Sequence, residues 1–145
     1  MNNQPLLELS YYALYLKQYL RENHPDKIDN HKLIAERTER AAELFEQLRR
    51  EGLSVEAAQE SAMAELLRGL HFSPFSTIVE VLWNEFADLL NPANAELAAL
   101  LLLPECSPII DRYELTDDFA LTMEYDDLYT ELTGVIILKL GMYGV

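Results

Sequence analysis

Apolar side chains recur along this chain at steps of three and four residues, the spacing that gathers them on one side of a helix. Alternating β-branched stretches and Asn-Gly or Asp-Gly hairpin turns do not occur, so nothing in the pattern predicts a sheet. A first helix is expected from about Leu9 to Glu22, with Tyr12, Leu16, Tyr19 and Leu20 on one face. Pro25 ends it, because the residue before a proline is pushed out of the α region. A second, from about Asn30 to Glu51, lines up Ile34, Thr38, Ala41, Phe45 and Leu48, with Asp29 as its cap and Gly52 as its left-handed stop. A third, from about Val55 to Arg68, is capped by Ser54, carries Val55, Ala58, Ala62 and Leu66, and is followed by Gly69.

Ser73-Pro74 reads as the cap and first residue of a fourth helix. Phe75, Ile78, Val81, Leu82, Trp83 and Phe86, continuing to Leu90, cover most of its circumference, which predicts a largely buried helix at the centre of the fold. Asn91-Pro92 repeats the signal for a fifth helix reaching Leu103, where Pro104 ends or kinks it, and a short helical piece from Pro108 to Tyr113 follows. Glu114 to Glu124 reads as an ordered loop holding Leu115, Phe119 and Leu121. A last helix, about Tyr125 to Leu140, uses Tyr125, Leu128, Leu132, Val135 and Ile136, with Gly134 and Gly141 capping its turns poorly. No internal repeat and no long linker interrupts the pattern. The fold class expected is therefore all-α: a single bundle-like domain over residues 1–145, with about six helices around one core.

Composition adds compartment and charge to this picture. Half of the residues are apolar and a quarter charged, which is globular rather than disordered. The lone Cys106 makes no internal disulfide, as suits a reducing compartment. Met1-Asn2-Asn3-Gln4-Pro5 lacks the basic start and apolar run of a signal peptide. The apolar runs Leu97–Leu103 and Val135–Leu138 fall short of the roughly 20 residues a membrane span needs. A cytoplasmic location is the expectation. The net charge is −14, and its whole excess lies after residue 50: residues 1–50 balance eight acids with eight bases, whereas residues 51–145 set seventeen acids against Arg68, Arg112 and Lys139. Such a surface repels phosphate backbones and anionic membranes and favours basic or neutral protein partners, or cations.

Candidate chemistry is sparse. His24, His31 and His71 show no metal-binding spacing, and Cys106 has no cysteine partner. His71 reads as a boundary histidine bonding a nearby backbone carbonyl. The run Glu114, Asp117, Asp118, Glu124, Asp126, Asp127 and Glu131 has the carboxylates of a cation site but not the spacing of a calcium loop. Turn capping by Thr116, Asp117 or Asp118, and the dipole of the last helix at Asp126 and Asp127, give these residues simpler uses. On the fourth helix, Glu80, Asn84 and Asp88 form a narrow polar line with Glu85 beside it. This is either the helix's solvent strip or one wall of an acid–base cleft completed by Asp117 and Asp118. Glu36 with Arg40, and Glu46 with Arg50, stand at the four-residue spacing of helical ion pairs, which leaves no basic stripe for DNA. No nucleophile elbow, Cys-His signature or phosphate loop occurs. The eight tyrosines cluster as Tyr11, Tyr12, Tyr15 and Tyr19, then Tyr113, Tyr125, Tyr129 and Tyr143, suited to positions with a buried ring and a wet hydroxyl.

Five phrases carry a family resemblance: Leu9-Ser10-Tyr11-Tyr12, Gly69-Leu70-His71-Phe72-Ser73, Leu82-Trp83-Asn84-Glu85-Phe86, Leu115-Thr116-Asp117-Asp118-Phe119 and Tyr129-Thr130-Glu131-Leu132-Thr133-Gly134. With them the chain resembles the Bacteroidetes family of domain of unknown function 1896 over nearly its whole length. The resemblance implies a multihelical, intracellular protein often encoded beside conjugative or integrated mobile elements, and it assigns no catalytic residue. The function expected is a non-enzymatic accessory protein, without cofactor or metal, that docks a basic or neutral partner and binds neither nucleic acid nor membrane. The alternatives are a nucleic-acid mimic that occupies a DNA-binding protein, and a small enzyme or small-molecule binder built on the carboxylate line. The apolar end from Val135 to Tyr143 packs either within the chain or across a homodimer.

Overall fold

A computed structural model of the protein describes residues 4–142, with side chains over residues 9–141. Six α-helices and three short 3₁₀ turns make up the regular structure, with no strand among the described residues. The fold is all-α, as the pattern indicates, and the chain divides into two compact units, Met1–Leu70 and His71–Val145, each with its own cluster of buried apolar side chains.

In the first unit, α1 (Gln4–Asn23) packs on α2 (His31–Arg50), and α2 on α3 (Val55–Leu67). Its core takes Tyr12, Leu16 and Leu20 from α1, Ile34, Ala41 and Phe45 from α2, and Ala58, Ala62 and Leu66 from α3. The helical spacing singles out all of these; of its other choices, Thr38 is buried, Tyr19 and Leu48 are partly buried, and Val55 is half exposed. Ala58 and Ala62 of α3 are fully buried and let the α2 and α3 backbones pack closely. Asn30, not Asp29, caps α2: its side chain accepts the Leu33 N–H at 3.1 Å. Gly52, at φ +97°, closes α2 in a Schellman turn, in which Leu53 N–H donates to Leu48 and Gly52 N–H to Arg49. Ser54 caps α3 by accepting the Ala57 N–H.

The end of this unit is fastened from three places. Arg68 at φ −58° and ψ 130°, followed by Gly69 at φ +80°, forms a type II turn closed by Leu70 N–H donating to the Leu67 carbonyl. Arg37 donates to the carbonyls of Leu66 and Arg68, at 3.1 and 2.6 Å, satisfying acceptors that the end of α3 leaves open. The Tyr19 hydroxyl donates to the Leu70 carbonyl at 3.0 Å, and His24 Nε2 lies 2.8 Å from the same oxygen. The buried histidine that bonds a backbone carbonyl is thus His24. His71 is exposed, and its backbone N–H donates to Asp117. Burial holds the His24 ring below the usual histidine pKa, the Leu70 carbonyl acting against this shift.

In the second unit, α4 (Pro74–Glu85) packs against α5 (Ala95–Ile110) and α6 (Met123–Met142). Ser73 caps α4 by accepting the Ser76 N–H, with Pro74 as first residue. Phe75, Ile78, Val79, Val81 and Leu82 are buried, so α4 is the largely buried helix that its composition indicated, although Trp83 is half exposed. It stops at Glu85, and residues 86–90 form turns. Asp88 therefore lies off the helix, and the four-residue polar line ends at Asn84.

α5 runs unbroken through Pro104 and Pro108, where a stop or kink and a separate short piece were expected. Both prolines lie on the exposed side, so the ring and the lost N–H disturb only the solvent face, while Leu102, Cys106 and Ile110 pack inward. The stretch Pro92–Ile110 is long and apolar enough to cross a membrane by length and composition, more than the shorter apolar runs suggested. One third of it is buried, as a helix packed on one side would be. In the loop before α6, Phe119 is buried against Phe72 at a ring-centre distance of 4.8 Å, but Leu121 is 89% exposed and does not anchor it. In α6, Leu128, Leu132 and Ile136 are fully buried, and Gly134 lies within the helix rather than at its end. Tyr143 lies outside the described residues.

Candidate functional site

The polar residues singled out on α4 meet tyrosines of α6. Residues 80 and 84 stand four apart on one helix and 125 and 129 four apart on the other, so two helical ladders face each other. The Tyr125 hydroxyl donates to Glu80 Oε2 at 3.2 Å. The Tyr129 hydroxyl donates to Glu85 Oε1 and accepts from Asn84 Nδ2, both at 3.2 Å. Behind the hydroxyls the rings are half buried, with Tyr125 edge-on to Phe72 and Phe119. A third tyrosine, Tyr113, donates to Glu131, which also takes an ion pair from Arg112.

Each phenol is held protonated. Burial, then the nearby Glu80 carboxylate, pushes Tyr125 up to about 12. The hydrogen bond to Glu131, then burial, pushes Tyr113 up to about 12. Burial, opposed by Asn84 and reinforced by Glu85, raises Tyr129. Chemically these groups are fixed donors that tie carboxylates to an aromatic layer, and none is poised as a general base near neutrality.

The remaining candidates stand apart from this ladder. Asp118 Oδ1 accepts the Thr116 hydroxyl at 2.8 Å, a local turn bond, whereas Asp117 Oδ1 accepts the distant His71 N–H at 3.1 Å and so ties the loop before α6 to the start of this unit. Glu80, Asn84, Glu85, Asp88, Asp117 and Asp118 are all exposed. Among the described residues no group of three or more His, Cys, Asp or Glu is arranged to hold a metal. Cys106 is fully buried, and burial, then Glu105, pushes its thiol up to about 11. Arg50 pairs with Glu46 at 4.0 Å as the spacing indicated, but Arg40 reaches across to Glu65 on α3 rather than to Glu36, and Arg68 joins the same carboxylate.

The sequence marks Tyr125 and Tyr129 as tyrosines with a buried ring and a wet hydroxyl, but not as partners of Glu80, Asn84 and Glu85. The available signal was the matching four-residue step at 80/84 and 125/129, forty-five positions apart.

The charge pattern sharpens once the units are separated. His71–Val145 holds thirteen acidic residues and two basic ones, a net −11. Both bases are engaged, Arg112 by Glu131 and Lys139 by Glu105 at 3.1 Å.

What the fold and this surface define is an all-α protein with an anionic, tyrosine-laced second unit. The chain belongs to the family described as domain of unknown function (DUF1896), whose model matches residues 4–145. It is similar to the crystal structure of protein PG0816 from Porphyromonas gingivalis, with 35% identity, a TM-score of 0.91, and coverage of 98% of this chain and 97% of that one. No curated protein matches the sequence.

Proposed function

We propose that the chain is a non-enzymatic interaction protein that docks a basic partner through its acidic second unit. The observation that carries this reading is the imbalance of thirteen carboxylates against two cations in that unit, with both cations already in ion pairs. A uniform field of this kind steers a cationic surface toward it and repels phosphate backbones. The exposed acids at the start of α6, Glu124, Asp126 and Asp127, carry none of the hydrogen bonds that tie Glu80, Glu85 and Glu131 to tyrosines. Within this reading the protein acts in the cytoplasm as an accessory or regulatory factor of a mobile element, as its family resemblance suggests.

The test is a pull-down from extract of the native cell at low and moderate salt, using the full chain and a Glu124→Gln/Asp126→Asn/Asp127→Asn variant. A specific basic partner is expected at low salt, weakened by salt and by the variant. Recovery of no specific partner, or equal recovery by the neutralised variant, refutes the reading.

A further inference from the structure

Helix α5 is apolar on two opposite sides. Ala95, Ala99, Leu102, Cys106 and Ile110 form the side packed into the core. Half a turn away, Leu97, the pair Leu100 and Leu101, Pro104 and Pro108 recur every three or four residues and stay exposed, Leu97 by 64% and Leu101 by 70%. At about 100° per residue, Glu96 falls along one border of this strip and Glu105 along the other, with Asp111 just past its end. The two prolines add a second feature. Without their N–H groups, the carbonyls of Leu100 and Pro104 lose their helical donors, and both residues lie on the exposed strip.

We propose that this strip is the docking face for an amphipathic helix of a partner protein, with apolar anchors on its inner side and lysines or arginines along its flanks. An apolar strip alone would suit a second copy or a bilayer equally, and charge decides among them. A second copy brings another unit of net −11 and sets carboxylate borders against each other. An anionic bilayer is repelled in the same way. A helix with basic flanks meets Glu96 on one border and, on the other, Glu105, which already holds Lys139, and its cationic N–H groups can donate to the two carbonyls that have no helical donor. The inference rests on the basic-partner reading and adds to it the shape of the partner and the face it occupies.

The test titrates the full isotope-labelled chain with a synthetic peptide of about eighteen leucines and lysines, the leucines at three- and four-residue steps. A scrambled peptide of identical composition, which makes no apolar face, serves as comparison. Amide shifts are expected to concentrate over residues 96–111. Leu97→Ser/Leu101→Ser is expected to weaken the amphipathic peptide by about tenfold or more, while Leu14→Ser, at a position 68% exposed on α1, leaves it unchanged. Circular dichroism confirms that each variant is folded. Equal binding of the scrambled peptide overturns the docking face and leaves the basic-partner reading standing. Failure of both peptides to bind at low salt overturns both. A dimer, or attachment to phosphatidylcholine vesicles, that Leu97→Ser/Leu101→Ser abolishes assigns the strip to another occupant and overturns the inference as well.

Discussion

The same substitution, glycine to alanine, is expected to act in opposite directions at two places in this chain. Gly134 lies within α6, is exposed, and an added Cβ there meets nothing within 4 Å. Alanine at this position forms no new contact and causes no clash, so only backbone entropy and helix propensity change, worth about 1 kcal/mol in favour of the helix. Unfolding entropy near 2.1 cal/mol/K per residue over this chain comes to about 0.3 kcal/mol/K, so that gain raises the midpoint by about 3 °C. Gly52 also has open space around its Cβ position, but its φ is +97°. Alanine there is held in the left-handed region that closes the Schellman turn, at a cost of about 1–2 kcal/mol. Thermal unfolding followed by far-UV circular dichroism, with urea midpoints as a second measure, separates the two. A destabilised Gly134→Ala protein, or a stabilised Gly52→Ala protein, would refute the assignment of these glycines to a helix interior and a left-handed stop.

Three further outcomes follow from the buried groups. Leu132 is fully buried on α6, and Leu132→Ala is expected to cost about 2–5 kcal/mol by urea denaturation; a loss within error of zero would mean the position is not enclosed. His24 has a folded-state pKa below its unfolded value of about 6.5, so the protons it binds favour the unfolded chain. The stability it contributes is complete above that pH and declines as pH falls through it toward the folded value. The stability gap between the native protein and His24→Gln, measured across this range, therefore narrows on acidification; a constant gap contradicts the burial. Cys106, buried and with its thiol pushed up to about 11, is expected to react with Ellman's reagent only at the rate of unfolding, and prompt labelling in native buffer would show otherwise.

Much of the helical framework was legible because it is written locally. Ser54, Ser73-Pro74 and Gly52 satisfy or stop a helix terminus within a few residues of themselves, so the sequence neighbourhood contains both partners of each interaction. The errors arise where the deciding neighbour is distant or the signal is one-sided. Pro104 and Pro108 are breakers by type, yet they occupy the face where a missing N–H is exposed to water, and the buried side of α5 carries the helix past them. α4 ends at Glu85 without glycine or proline, so Asp88 was placed on a helix it does not share. The acids of the candidate site were visible as acids. Their engagement by Tyr125 and Tyr129 depends on α4 and α6 packing together, which composition alone does not specify. The role read for His71 belongs to His24 for the same reason: the carbonyl that His24 bonds is that of Leu70, forty-six residues away.

The placement of the two prolines on α5 has a consequence before the helix exists. In a newly made chain, Leu97–Leu103 is an uninterrupted apolar stretch of the sort that stacks into intermolecular β-structure. Glu96 stands immediately before it, and Pro104-Glu105 immediately after, a charge and a residue that cannot donate to a growing ladder. The residues that interrupt the hydrogen-bond ladder of the finished helix are thus of the gatekeeper type, which limits stacking of such a segment while its inner side is not yet covered by α4.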